Sequence, residues 1–359
     1  MGTAAALYLA HLDNPLYLGL QHAIGWGVSV LALLTGYLLD RIDRRKALLF
    51  GLLSGSFLRF LLGASLGLIG PWAFLGLYLA GNIFELFLEV RVLVPRLVPQ
   101  EREKAHGRLY TASLLADLLG APLGAFLFVQ NPSWPFFLGG ALSFMALHFA
   151  ARLPPIPPLG KASPGVLAGL RWLYQEAFFR RLAGMVLGAS FLRVMPFALL
   201  PLWALEVGYG PVGYGLLSTA FSLGGALGGL LAGRLKGRRP QRVLGLLFLL
   251  DAGAILGLLL KPPLPLGLLL VALLGMSAIL LGVQEVVLRQ ALAPDALLGR
   301  VGGGMRFLSG SAGLLGALLA GVVGGKVGLE EVYLGAGLGF LLLALAAWGL
   351  LGQIGRGAR

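Results

Sequence analysis

The chain reads as an all-α, polytopic membrane protein built from two tandem helical bundles. Three observations predict this. Of 359 residues, 58% are hydrophobic and only 12% charged, about half the charged share of a soluble domain. Apolar runs repeatedly reach the ~20 residues that a bilayer crossing needs. Sequence landmarks also recur at offsets of 192 to 196 residues. The ~10-residue alternating segments of an outer-membrane barrel are absent.

Residues 1–12 are apolar but too short to span, and Asp13-Asn14-Pro15 is a turn. Helices are predicted at about 15–39, 47–69, 71–95, 104–129, 133–151, 182–205, 212–233, 241–260, 263–288, 300–325 and 329–352. This makes eleven complete spans and a partial first helix. The Pro-rich stretch from Arg152 to Gly165 breaks the pattern. With the following GLRWLYQEAFFRR it forms a linker carrying a short amphipathic helix at the interface. The division is an N-terminal bundle over 1–151, a linker over 152–181 and a C-terminal bundle over 182–359.

The cations fix the orientation. Of 28 Lys and Arg, 23 fall on one side, in alternate loops and the tail, and the opposite loops hold only Lys261 and Lys326. That positive-inside pattern puts the rich side, with the C-terminus, in the cytoplasm. The chain is expected in the cytoplasmic (inner) cell membrane. The net charge of +13 is therefore a topology signal with anionic-lipid contact, not a nucleic-acid signal. There are no cysteines, so no disulfide or thiolate metal site exists. No signal peptide is read at the start, which lacks a basic n-region followed by a cleavage site.

The repeat is specific in its landmarks. Pro15 matches Pro211, Gly36 matches Gly229, Pro99 matches Pro294, and Gly107-Arg108 matches Gly299-Arg300. Both copies keep the same charged side, so they are parallel repeats about the membrane normal. The offset also predicts that residues 1–12 are the back half of a first span, whose front an upstream start would supply.

Between the first two complete spans lies Gly36-Tyr-Leu-Leu-Asp40-Arg41-Ile-Asp43-Arg44-Arg45-Lys46. Gly36, Asp40, Arg41, Arg44 and Arg45 match the loop that marks the major facilitator superfamily. Asp43 stands where that family usually has Gly. A second copy keeps Gly229, Arg234 and Arg238 but has Gly233 in place of the acid. With the Pro-containing loops and the linker, the whole chain resembles this superfamily, most of all its drug-efflux and siderophore-export branches. Gly120-Ala121-Pro122-Leu123-Gly124-Ala125 resembles, in degraded form, the Gly-Pro motif of antiporters. The resemblance implies a monomeric secondary transporter that rocks two halves about a central cavity. Asp40 ends a helix, where the macrodipole disfavours an anion. It therefore reads either as a latch onto the helix starting near Arg300, at Gly302-Gly303-Gly304, or as a bystander in a loop that only sets topology.

Ionisable groups inside spans are costly, and each invites a functional reading. Arg59, Asp117, Arg193 and Asp251 fall near mid-span, with Glu85 somewhat nearer the basic side. Glu89, Arg91, Glu285 and Arg289 lie further toward that side. Arg59, Glu85, Asp117, Arg193 and Asp251 are the substrate or proton candidates. Arg59 also reads as a structural partner of Glu85 or Asp117, and Glu285 and Arg289 as an i, i+4 pair. Gln21 and His22 are candidates for a cavity mouth.

No GxxxxGK[ST], no metal-spaced His/Asp/Glu cluster and no Ser/His/Asp arrangement occurs, so neither an enzyme nor an ATP-driven pump is indicated, and no cofactor or metal is expected. The expectation is proton-coupled efflux of a small molecule by antiport. The alternatives are a transport-inactive membrane partner or sensor, and an importer or uniporter on the same fold.

Overall fold

A computed structural model describes residues 2–39, 42–88, 102–155, 166–235, 240–294 and 297–352. Thirteen α-helices lie among them: α1 Gly2–Ala10, α2 Pro15–Leu39, α3 Arg44–Ser65, α4 Pro71–Glu85, α5 Arg102–Gln130, α6 Trp134–Ala150, α7 Val166–Gln175, α8 Ala177–Glu206, α9 Gly210–Leu231, α10 Pro240–Leu259, α11 Leu264–Leu292, α12 Leu298–Lys326 and α13 Leu329–Gly352. Nine are long and apolar enough to cross a membrane. The 25-residue α2 and the shorter apolar α6 complete the eleven expected, and α1 is the short first helix. α8 starts at Ala177 rather than 182, so Arg180 and Arg181 join a helix of 30 residues.

Local chemistry explains the helix ends. Asp43, where the superfamily usually has Gly, caps α3: its Oδ1 accepts from the backbone N–H of Arg45 at 2.8 Å and of Lys46 at 3.2 Å. A carboxylate there satisfies orphan donors and suits the positive end of the helix dipole. Arg45 then donates to the carbonyl of Ala151, just beyond α6, at 2.6 Å, placing a cation at a helix C-terminus. Pro71, Pro135 and Pro211 sit in the first turns of α4, α6 and α9, where a missing N–H is harmless. On the face opposite the basic loops, Lys261 meets Glu330 at 2.8 Å. That hydrogen bond raises the Lys261 pKa above its ordinary value.

Within the second half α9 crosses α11 where neither has room for a side chain. Gly224 lies on the Ala272 carbonyl, Gly275 on the Phe221 carbonyl, and Gly228 against Met276. Without a hydrophobic drive between helices in lipid, such backbone approach supplies the packing. In the first half α3 packs on α6, where Gly140 receives the Phe60 ring and Ser56 donates to the Gly140 carbonyl at 2.8 Å.

The halves meet along two seams, α2 with α12 and α5 with α9. At the first, Gly19 fits against Ala317 and Gly321, and Trp26 against Gly313. At the second, Gly215 fits against Ala121, Pro122 and Ala125, and Thr219 donates to the Leu118 carbonyl at 3.3 Å. The Gly19 and Gly215 contacts lie toward the face opposite the basic loops, and the Trp26 and Thr219 contacts near mid-helix. The linker helix α7 lies against α12 on the basic side: Gly169 meets the Arg300 carbonyl, and Leu170 and Leu173 cover Gly304. Its other face, with Arg171 and Tyr174, is exposed.

A side chain at the α9–α11 crossing has nowhere to go. Gly224→Val is expected to destabilise the protein by about 1–3 kcal/mol through overpacking, read as a lowered unfolding temperature of detergent-purified protein, whereas Gly253→Ala, with open space around it, leaves that temperature unchanged.

Candidate functional site

The substrate and proton candidates form two separate pairs and one isolated acid. In the first half Arg59 on α3 donates through Nη2 to Glu85 Oε1 on α4 at 2.6 Å and through Nη1 to Ser143 Oγ on α6 at 2.6 Å. One guanidinium thus ties three helices. The Arg59 side chain is 11% exposed and that of Glu85 is 42% exposed. The fork geometry of Arg is what lets it serve two acceptors at once. Of the two partners the sequence left open for Arg59, the structure selects Glu85.

In the second half Arg193 on α8 donates through Nη2 to Asp251 Oδ2 on α10. Asp251 is fully buried. The guanidinium also stands over the Phe340 ring of α13, 5.6 Å from its centroid, within the range of a cation–π contact. Arg193 Nε is buried with no hydrogen-bond partner. Asp117 on α5 is exposed and has no ion partner among the described residues.

A cavity of about 250 Å³ opens among α8, α11 and α12. Each helix contributes a stripe at helical spacing: Val186, Ser190 and Arg193 from α8; Ala278, Leu281, Gly282, Glu285, Val286 and Arg289 from α11; Gly302, Met305, Arg306 and Ser309 from α12. Glu285 Oε1 and Arg289 Nε, four residues apart on α11, meet at 3.2 Å. Gly302 lets the Arg289 guanidinium lie directly on α12, where a Cβ would displace it. The cavity occupies the half of the protein nearer the basic loops, and the two seams close the other half.

Of the candidates, Arg193 lines this cavity and Asp251 supports it from behind, whereas Arg59, Glu85 and Asp117 lie elsewhere. Gln21 donates to the Tyr78 hydroxyl at 2.9 Å, and His22 Nδ1 lies 3.3 Å from the Leu18 carbonyl, so both are engaged in helix packing. Of the charged hairpin, Arg44 is buried and Arg45 is committed to Ala151. Gly229 sits in α9 and Arg234 is exposed just beyond it. Asp40, Arg41 and Arg238 lie outside the described residues, as do Glu89 and Arg91. Arg306 and Ser309 were missed in the sequence, although Gly302, Arg306 and Ser309 follow the i, i+4, i+7 spacing of one helix face.

Two helical halves that meet along seams, with a cavity among α8, α11 and α12 open in the half nearer the basic loops, have the architecture of a transporter. Residues 2–317 match the family model described as Major Facilitator Superfamily, and the chain belongs to that superfamily. It is 27% identical over 364 residues to the enterobactin exporter EntS of Shigella boydii serotype 4 (strain Sb227), covering 96% of this chain and 86% of that protein. Its fold is similar to the crystal structure of the nucleoside transporter NupG, with a TM-score of 0.76 at 14% identity over 97% of this chain and 93% of that one. It is likewise similar to a POT family transporter in complex with 5-aminolevulinic acid, with a TM-score of 0.77 at 12% identity over 98% and 93%.

Removing one partner of a buried ion pair leaves the other uncompensated, which typically costs about 3–5 kcal/mol. Arg193→Met is therefore expected to lower the unfolding temperature sharply. The double variant Arg193→Met/Asp251→Leu is expected to recover most of the loss, as read in a double-mutant cycle of thermal unfolding.

Proposed function

We propose that this protein exports a small molecule across the cytoplasmic membrane, coupled to proton entry, by alternating access. The observation that carries this reading is the cavity on the basic side with both seams shut on the other. With the cation-rich side in the cytoplasm, that is the state in which an exporter loads. The similarity to enterobactin exporters over 96% of the chain supports the outward direction. The moving bodies are 1–151 and 182–359, and 152–181 links them. The protein acts as a monomer, with its C-terminus in the cytoplasm.

The proton-coupling groups are Glu85 and Asp117. Glu85 is the more accessible partner of its ion pair, and Asp117 is an exposed acid within a span. Asp40 acts as the latch that holds the basic side shut in the outward-facing state. The N-terminal turns of α12, its proposed docking end, meet α7 and Arg289.

In proteoliposomes loaded with substrate, an imposed pH gradient is expected to drive export. Asp117→Asn or Glu85→Gln is expected to uncouple substrate movement from proton flux; unchanged proton flux in both variants removes this assignment. Asp40→Asn is expected to impair transport more than Arg44→Lys, and equal activity of the two counts against the latch.

A further inference from the structure

The wall of the cavity is more cationic than its ion pairs require. Arg193 is neutralised by Asp251, and Arg289 by Glu285. Among the described residues Arg306, on the exposed face of α12, meets only the electrostatic field of the same Glu285. Among them three guanidinium groups thus share two carboxylates, leaving one positive charge in excess. Arg193 Nε and Arg289 Nε are buried donors on this wall without a hydrogen-bond acceptor, against the single such acceptor Glu285 Oε1. Leu281, Met305 and Val186 supply apolar wall between the charges. We infer that the cavity binds an organic anion with a compact apolar body, the anionic group held by Arg306 and Arg193 and the body against the apolar wall. The inference rests on the transport reading for its purpose, but the binding chemistry stands on the cavity alone.

Two features favour an anion over a neutral or cationic ligand. Guanidinium groups recognise carboxylate and related oxyanions through paired N–H donors, a geometry that a neutral amide reproduces poorly. A cation would compete with Arg289 for Glu285 while facing Arg193 and Arg306, both repulsive. The cavity of about 250 Å³ admits a ligand of one or two fused rings, or the charged end of a larger one that extends toward the basic face.

The test uses three probes of one shape: naphthoate, naphthamide and naphthylmethylammonium. Binding is read by equilibrium dialysis against the protein in nanodiscs, with empty nanodiscs subtracted. Naphthoate is expected to bind at least about tenfold more tightly than either other probe. Arg306→Gln is expected to weaken naphthoate by roughly fivefold or more, Arg306→Lys to retain most of the affinity, and Arg306→Glu to shift preference toward the ammonium. Arg306 is exposed, so these variants strand no buried partner, and an unchanged unfolding temperature checks that they fold. Equal binding of the three probes, no saturable naphthoate binding, or an Arg306→Gln variant with unaltered affinity overturns the inference. Selective naphthoate binding without flux in proteoliposomes leaves the anion site standing and removes the transport reading instead. Flux carried by the ammonium probe in preference to naphthoate does the reverse.

Discussion

A charge inside a bilayer must have a partner or face water, and this constraint arranges most of what is distinctive in the chain. Asp251 is fully buried, so its pairing with Arg193 holds α10 to α8 at mid-membrane. That bond leaves the outer side of the guanidinium facing the cavity, over Phe340 on one flank. The first half obeys the same rule with the sign reversed. Arg59 lies 192 residues before Asp251, within the spread of the repeat offset, and holds α3 to α4 and α6 through Glu85 and Ser143. One position of the ancestral unit thus carries a cation in one copy and an anion in the other. Each is satisfied by a different neighbouring helix, so the two halves share a fold without sharing a site.

Small residues supply the second constraint. At both seams between the halves small residues bring backbones close, Gly19 on Ala317 and Gly321 and Gly215 on Ala121 and Pro122, beside the Trp26 ring on Gly313. A seam of this kind can form and part with few side-chain rotamer changes, which suits rigid-body rocking. The interlocked α9–α11 crossing lies inside one half, where nothing needs to separate. Close backbone approach therefore appears both inside one half and between the halves.

The fold was legible because its causes are one-dimensional. Apolar length, loop cations and the repeat each read directly from residues, and helix positions followed within a few residues for most spans. The site was only partly legible. Arg193 and Asp251 stood out as mid-span charges, but their partnership joins α8 to α10 across 58 residues, which no periodicity reveals. Glu285 and Arg289 read as a pair on their own helix, and they are one. The same i, i+4 spacing also places both on a cavity wall, and spacing alone does not distinguish an outward face from an inward one. Arg306 passed unnoticed because it lies close to the basic loops, where cations serve topology. Asp43 read as a departure from a family pattern and proves to be a helix cap. Its reason is local, visible once α3 is seen to begin at Arg44.

The sign of electrostatic coupling separates the acids of this protein into two kinds. An anion entering the cavity competes with Glu285 for Arg289 and Arg306, and with Asp251 for Arg193. Each displacement makes the displaced carboxylate easier to protonate, so anion and proton would bind together and travel together. That is the wrong coupling for exchange. It would also cancel the charge whose exit from a negative interior is favourable by ~2.3 kcal/mol per 100 mV. On the export reading Glu285 and Asp251 therefore serve as fixed counter-charges to the arginines of the same half. On the proposed reading the exchangeable protons belong on acids outside the cavity wall. Glu85 and Asp117, in the first half and away from the cavity wall, satisfy that condition. On that reading substrate and proton communicate through the relative motion of the two halves, along seams lined by small residues.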